Sequence, residues 1–243
     1  SRFTVNYSLL KPIFATMQLY RQTIYLLQKE ILMEWRSRYA FNGILLYVVS
    51  TVFICYISFR VGGDFSQSDG YAIVWNTLFW IIMLFAAVNA IAKSFLTESK
   101  GRMLYYYSIA GARAVILSKT IYNGLLMLML SIITLVVYLL FFTNTIGDGL
   151  HYFIAVLLGS ISFSTVFTMI SAIASKAGNS GSLMAVLSFP VIIPVILVLI
   201  KLSKNAMDGI DRSFNYEQII LLCAINVIVV ATSLILFPYL WRD

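Results

Sequence analysis

The stretch AVILSKTIYNGLLMLMLSIITLVVYLLFF (residues 114–142) contains one charged residue, Lys119, in a long run of apolar residues. A helix of about 20 apolar residues crosses the hydrocarbon core of a bilayer, so this stretch predicts a membrane-spanning helix. The run is longer than a bilayer requires, and we therefore expect the helix either to tilt or to begin before the membrane.

Five further runs have the length and hydropathy of membrane spans. All six runs are continuously apolar and lack the two-residue alternation of barrel strands, so they predict α-helices. The composition, with 60% hydrophobic and 11% charged residues, leaves too little polar surface for a soluble globule. The predicted fold is therefore all-α, a polytopic membrane protein with six spans at residues 41–59, 71–92, 114–142, 152–174, 183–200 and 219–240.

Positive charges are distributed unequally between the two sides that this topology defines. Arg60, Lys201, Lys204 and Arg212 fall on one side, and the other 13 of the 17 Lys and Arg residues fall on the opposite side. Cytoplasmic segments carry the excess of Lys and Arg, so we expect both termini to be cytoplasmic. The net charge of +7 reflects this bias and gives no support for nucleic-acid binding.

Residues 1–40 are predicted to form a cytoplasmic interfacial region, followed by a single permease domain over residues 41–240. Residues 12–38 have the periodicity of one amphipathic helix, and Pro12 suits its first turn. Apolar residues recur at steps of three and four and form one stripe, namely Ile13, Met17, Tyr20, Ile24, Leu27, Ile31 and Trp35.

We expect this helix to lie along the inner membrane surface and to turn into the first span. The residues expected to contact the lipid interface are Lys29, Trp35, Arg36 and Arg38. The alternative is an ordinary helix packed on a cytosolic partner.

Motifs for an internal energy source are missing from the sequence. It contains no G-x-x-x-x-G-K-[ST] loop, so we expect no ATP hydrolysis by this chain. The predicted spans hold almost no ionisable residues, which argues against an ion-coupled transporter. Lys93 and Lys119 approach span ends, where we expect them to snorkel to the inner interface. The energy for transport is therefore expected to come from elsewhere.

The remaining polar groups in the spans have structural explanations. His151 has no evident partner nearby, so we interpret it as an interfacial side chain and not as a haem ligand or proton relay. Cys55 and Cys223 are expected to be free thiols that pack as small hydrophobes. Interhelical hydrogen bonds are expected from Asn76, Asn89, Asn123 and Asn226.

Two sequence features of the later spans are not explained by hydrophobicity alone. The fifth span contains FPVIIPVI, in which Pro190 and Pro194 each remove a backbone N–H, so a kink or a broken helix is predicted. This irregularity is either a structural kink or a gate. The fourth span is rich in small residues from Gly159 to Ala174, which indicates a helix-packing seam.

The segment FLTESKGRMLYYYSIAGARAVILSK (residues 95–119) follows the second span. Residues 95–107 are predicted to form a short helix with one apolar side, ending near Gly111. Its charges alone are explained by a positive-inside loop. A surface on which another protein docks is the alternative.

Three segments together resemble the haem exporter protein B (CcmB) family, the ABC transporter permeases of cytochrome c-type biogenesis. They are YLLQKEILMEWRSR (residues 25–38), KSFLTESKGRMLYYYSIAGARAVILSK (93–119) and KAGNSGSLMAVLSFPVIIPVILVLI (176–200). The matching residues within them are Glu30, Arg36, Glu98, Gly101, Lys119, Gly178, Leu183, Leu187, Pro190, Ile193 and Pro194.

The resemblance implies an ABC-2-like permease of the bacterial inner membrane, paired as a homodimer and driven by a separate cytoplasmic ABC ATPase. It also implies haem-handling membrane proteins of cytochrome c maturation as partners. By this analogy, the ATPase-coupling segment comprises Glu98, Lys100, Gly101, Arg102 and Arg113.

Haem is the implied substrate of the complex, but no haem-ligand site is evident in this sequence, so a partner is expected to hold it. The alternatives are an ABC-2-type permease for a polysaccharide or lipid-linked compound, and a non-transporting membrane scaffold.

Overall fold

In a computed structural model the chain folds into long α-helices, and the structure describes residues 7–37, 39–61, 70–91, 111–175 and 180–242. A short 3-10 helix, Arg212–Asn215, precedes the last α-helix. Within the described residues the α-helices are α1 (Tyr7–Ser37), α2 (Tyr39–Val61), α3 (Tyr71–Ile91), α4 (Ala112–Phe141), α5 (Gly149–Ala174), α6 (Ser180–Met207) and α7 (Tyr216–Arg242).

The helices α2 to α7 are each long and apolar enough to cross a membrane, which confirms the all-α, six-span prediction. Their ends fall within a few residues of the predicted ends, except that α6 continues to Met207 instead of ending at residue 200. Leu202 and Ala206 in this extra stretch are buried against the bundle, whereas Lys201 is exposed. The helix thus continues as an amphipathic segment beyond its purely apolar part.

Contacts at the helix ends show that successive spans alternate in direction. The ring of Tyr56, near the end of α2, lies 5.4 Å from that of Phe141 at the end of α4. Tyr71, at the start of α3, donates a hydrogen bond to the Thr143 carbonyl over 3.4 Å. At the other end, called here the α1 end, Leu26 of α1 packs against the first turns of α4 and the last turns of α5 and α7.

Helix α5 lies at the centre of the bundle and packs against α4, α6 and α7. In the most apolar part of α5, 72% of the residues are buried, against 11% in the corresponding part of α2, which lies at the periphery. Small residues permit this close packing: a Cβ added at Gly159 would lie 2.5 Å from the Trp80 ring. Ser160 Oγ lies 2.8 Å from Ser131 Oγ of α4. The predicted small-residue seam is therefore confirmed.

The prolines are accommodated inside helices. Pro190 and Pro194 both lie within α6, which is continuous from Ser180 to Met207, so the helix is not broken there. A kink remains a prediction. Helix α1 begins at Tyr7, which places Pro12 in the second turn and makes the predicted first-turn position wrong.

Candidate functional site

At the α1 end, α1 and the start of α4 run side by side in the same direction. Gln22 Oε1 accepts a hydrogen bond from the Gly111 backbone N–H over 3.2 Å. Two turns further along both helices, Glu30 Oε1 lies 3.3 Å from Lys119 Nζ. Between these contacts, Leu26 packs on the apolar cluster at the start of α4. Because a helix rises 1.5 Å per residue, the two helices remain in contact over roughly 12 Å.

The ion pair between α1 and α4 is shielded from water. The side chain of Lys119 is 2% exposed and that of Glu30 is 15% exposed. Lys29 Nζ also contacts Glu30 Oε1, at 3.0 Å, from a more exposed position. The prediction that Lys119 snorkels to the membrane surface is therefore wrong, because α1 covers this part of α4 and supplies a carboxylate. Sequence spacing gave no signal for a partner 89 positions away.

The face of α1 that packs on α4 is not the predicted apolar stripe. Thr23, Leu26 and Glu30 lie towards the bundle, whereas Tyr20 and Ile31 of the stripe are exposed. At 3.6 residues per turn, the two faces are rotated by roughly 100° around the helix. Gln22, Leu26 and Glu30 therefore attach α1 to α4, whereas Tyr20 and Ile31 of the predicted stripe remain on the protein surface.

The structure describes only some of the residues that were predicted to contact the lipid interface. Lys29 lies on α1 beside Glu30 and is partly exposed. Trp35 and Arg36 lie in the last turn of α1, and Arg38 lies outside the described residues. Their contact with lipid remains a prediction.

The predicted ATPase-coupling segment is likewise described only at its end. Arg113 is exposed in the first turn of α4, directly after Gly111 and its hydrogen bond to α1. The other predicted coupling residues lie outside the described residues, namely Glu98, Lys100, Gly101 and Arg102.

The proline pair of α6 lies on the outer surface of the bundle. Pro190 and Pro194 are both exposed, whereas Ile192 and Val195 on the opposite side of the helix are buried. An apolar groove lies on the buried side of the helix and not on the proline face, lined by Leu84, Phe85, Val88, Phe167, Ser188, Phe189 and Ile192. The prolines therefore do not point into the centre of the single chain.

Asparagine side chains connect the spans as predicted, with one exception. Asn89 donates to the Phe85 carbonyl of its own helix, over 2.9 Å, and is exposed, so its predicted interhelical bond is wrong. The interhelical bonds that do form join Asn76 to the Ile200 carbonyl (3.0 Å), Asn123 to Thr168 Oγ1 (2.8 Å) and Asn226 to Thr165 Oγ1 (3.2 Å). These polar groups hold helices together by direct contact.

A cluster of charged and polar side chains lies at the end of the bundle opposite α1. Asp148 caps the start of α5 and accepts hydrogen bonds from the backbone N–H groups of Leu150 and His151. Its Oδ2 also lies 3.1 Å from His151 Nδ1 and 2.9 Å from Arg212 Nε. Desolvation alone would raise the pKa of Asp148, but these hydrogen bonds hold that pKa below its ordinary value.

The interpretation of His151 as a residue without a nearby partner is therefore wrong. His151 is 7% exposed, and its acidic partner lies three residues earlier at the helix N-cap. An Asp three residues before a His, directly ahead of a predicted span, was a signal available in the sequence. Cys55 and Cys223 are free, as expected, although Cys223 is exposed on the bundle surface instead of buried.

The comparison with known proteins covers nearly the whole bundle. A family model described as CcmB protein matches residues 21–239, from the middle of α1 into the last turn of the sixth span. No match is found among curated proteins or solved structures. The chain therefore belongs to the CcmB family, membrane permease subunits of the haem exporter ABC system in cytochrome c biogenesis.

Proposed function

We propose that this chain couples ATP hydrolysis by a separate cytoplasmic ATPase subunit to haem delivery, or to release of a haem chaperone, during cytochrome c maturation. The family match over residues 21–239 carries this proposal. The sequence contains no phosphate-binding P-loop motif, so the hydrolysis is assigned to the partner.

In this proposal the ATPase docks at the α1 end, on residues 98–113. Two described features support this position. Arg113 is exposed there and available to an acidic partner surface. Gly111 is hydrogen-bonded to Gln22 of α1, so a force applied just before α4 reaches both helices. We assign Glu98, Lys100, Gly101 and Arg102 to the same docking surface.

We further propose that the α1 end faces the cytoplasm of a bacterial cell and that the six spans lie in its inner membrane. The excess of Lys and Arg on this side supports the orientation, since positively charged loops remain inside. The exposed side chains of Tyr20 and Ile31 on α1 would then contact lipid at the inner side of the membrane.

A homodimer is the proposed assembly within the complex. The exposed side of α6, with Pro190 and Pro194, is not covered by the other helices that the structure describes. If these prolines serve as a gate, the gate lies between two copies or between this chain and another membrane protein. Haem is the cargo of the complex, and we assign its binding to the haem-handling partners.

The test is co-purification of the ATPase with the tagged chain from membranes. Glu98→Arg combined with Arg102→Glu reverses two of the four charges of the docking surface, and we expect loss of the ATPase while the chain stays inserted. The matched control reverses a charged pair at the opposite end, Lys204→Glu with Asp208→Arg, and should leave co-purification unchanged.

Unchanged co-purification of the Glu98 and Arg102 variant would refute the docking surface. A wild-type chain that brings down no ATPase would favour the non-transporting scaffold. Normal holo-cytochrome c in cells lacking the chain would favour a permease for another substrate, such as a polysaccharide or lipid-linked compound.

A further inference from the structure

We propose that Glu30 and Lys119 are positioning residues that make α1 and the start of α4 move as one rigid unit. The inference rests on the proposed function, in which a docked ATPase pushes on the segment before α4. It goes further by naming the contact through which that push reaches α1.

The burial of Lys119 is the first reason. Its side chain is 2% exposed and its ammonium lies 3.3 Å from Glu30 Oε1. Separating α1 from α4 would take the carboxylate away from an ammonium that is shielded by protein. Removing one partner of a buried ion pair is strongly unfavourable, whereas removing one partner of an exposed pair costs little. The two helices therefore stay together when either is displaced.

The regular spacing of the contacts is the second reason. Gln22 and Glu30 lie eight residues apart on α1, and their partners on α4, Gly111 and Lys119, are also eight residues apart. Leu26 packs between them on the apolar cluster that includes the start of α4. Contacts in register over two turns resist both sliding and rotation of one helix against the other. The bond of Gln22 to Gly111 is neutral and more exposed, so we assign the larger share of the resistance to the ion pair.

The consequence for coupling follows from the position of Lys119. It lies two turns into α4, immediately beyond the proposed docking segment and on the side that faces α1. A displacement of Gly111 and Arg113 would therefore move α1 together with α4. Without the ion pair, the ATPase would still bind and hydrolyse ATP, but α1 would no longer follow.

The experiment compares Glu30→Gln with a charge swap, Glu30→Lys with Lys119→Glu, in the full complex. A Cys replacing Leu26, in a background with Cys55→Ser and Cys223→Ser, reports contact between α1 and α4 through its rate of maleimide labelling. For Glu30→Gln we expect labelling to become at least about tenfold faster because the buried pair is broken. Holo-cytochrome c per inserted molecule should fall by a similar factor while ATPase co-purification is retained.

The charge swap should restore both labelling and holo-cytochrome c to within about threefold of the wild type, since the pair is re-formed with its ends exchanged. Lys29→Gln is the matched control, because it removes a more exposed cation from the same carboxylate and should change labelling little. If Glu30→Gln does not accumulate, Glu30→Gln with Lys119→Met leaves no buried charge and should still label rapidly.

Wild-type labelling in Glu30→Gln, or in the Glu30→Gln and Lys119→Met variant, would overturn the proposal. So would a charge swap as defective as Glu30→Gln. A purely structural role would lower holo-cytochrome c only in proportion to the amount of inserted chain. A failure of the docking proposal can be told apart from a failure of this one. If the wild-type chain binds no ATPase, the labelling rates of the wild type and Glu30→Gln can still be compared.

Discussion

Replacing Gly159 by Ala should distort the centre of the bundle, because no space exists for even one methyl group. A Cβ at this position would lie 2.5 and 2.6 Å from two carbon atoms of the Trp80 ring. Trp80 is 1% exposed, and its Nε1 donates to Ser203 Oγ over 2.8 Å. The rings of Phe79 and Phe163 pack against it at 5.3 and 6.1 Å, so the indole has little freedom to move aside.

The magnitude follows from three contributions. Forcing an extra methyl group into a packed core costs about 1–3 kcal/mol. Displacing the indole weakens its hydrogen bond to Ser203, which contributes about 0.5–1.5 kcal/mol. The replacement of a helical Gly by Ala offsets this by about 0.5–1 kcal/mol. Taken at their midpoints, these contributions give a net loss of about 2 kcal/mol, which for a chain of this size corresponds to a fall in Tm of about 4–8 °C.

The assay is thermal unfolding of the detergent-solubilised chain, followed by size-exclusion chromatography of the remaining folded protein. Gly43→Ala is the matched control: it makes the same change inside α2, where nothing lies within 4 Å of the added Cβ. Its Tm should equal or slightly exceed that of the wild type. Trp80→Phe combined with Gly159→Ala should recover part of the loss, because the smaller ring frees space. Equal Tm values for Gly159→Ala and Gly43→Ala would refute the packing argument.

Three further predictions concern the polar groups of the bundle. Asn123→Leu removes the bond to Thr168 and should destabilise the chain by about 0.6–1.7 kcal/mol in the same unfolding assay, non-additively with Thr168→Val. His151→Ala should leave holo-cytochrome c near normal, because a partner is proposed to hold haem; a collapse at unchanged chain abundance would contradict this. Asp148→Asn should lower Tm at neutral pH, since the carboxylate holds the His151 N–H and Arg212. As the folded-state pKa of Asp148 is lowered, its contribution is present above its ordinary pKa and is lost as pH falls through the lowered value. The Tm difference between Asp148→Asn and the wild type should therefore narrow as the pH falls below the ordinary Asp pKa of 3.8; a constant difference would rule out the carboxylate charge as its cause.

Much of the fold could be predicted because membrane spans are encoded locally. An apolar run of sufficient length must satisfy its backbone hydrogen bonds internally, so α2 to α7 follow from hydropathy alone. The errors occurred where a side chain depends on a distant partner. Lys119 looked like a residue that reaches the membrane surface, but Glu30 is 89 positions away in sequence. His151 was a different error, because its partner Asp148 was close enough to have been noticed.

The sequence by itself determined the number of spans, the amphipathic character of α1 and the charge bias between the two sides. These properties depend on runs, periods and counts, which need no knowledge of neighbours in space. Only the tertiary structure decided which face of α1 packs on α4 and that Lys119 is paired with Glu30. It also placed α5 at the centre and the exposed faces of Pro190 and Pro194 on the outside. The physical reason is that all six spans are apolar on every side, so hydropathy cannot distinguish a surface facing lipid from one facing another helix. That distinction depends on small residues and polar pairs meeting across helices.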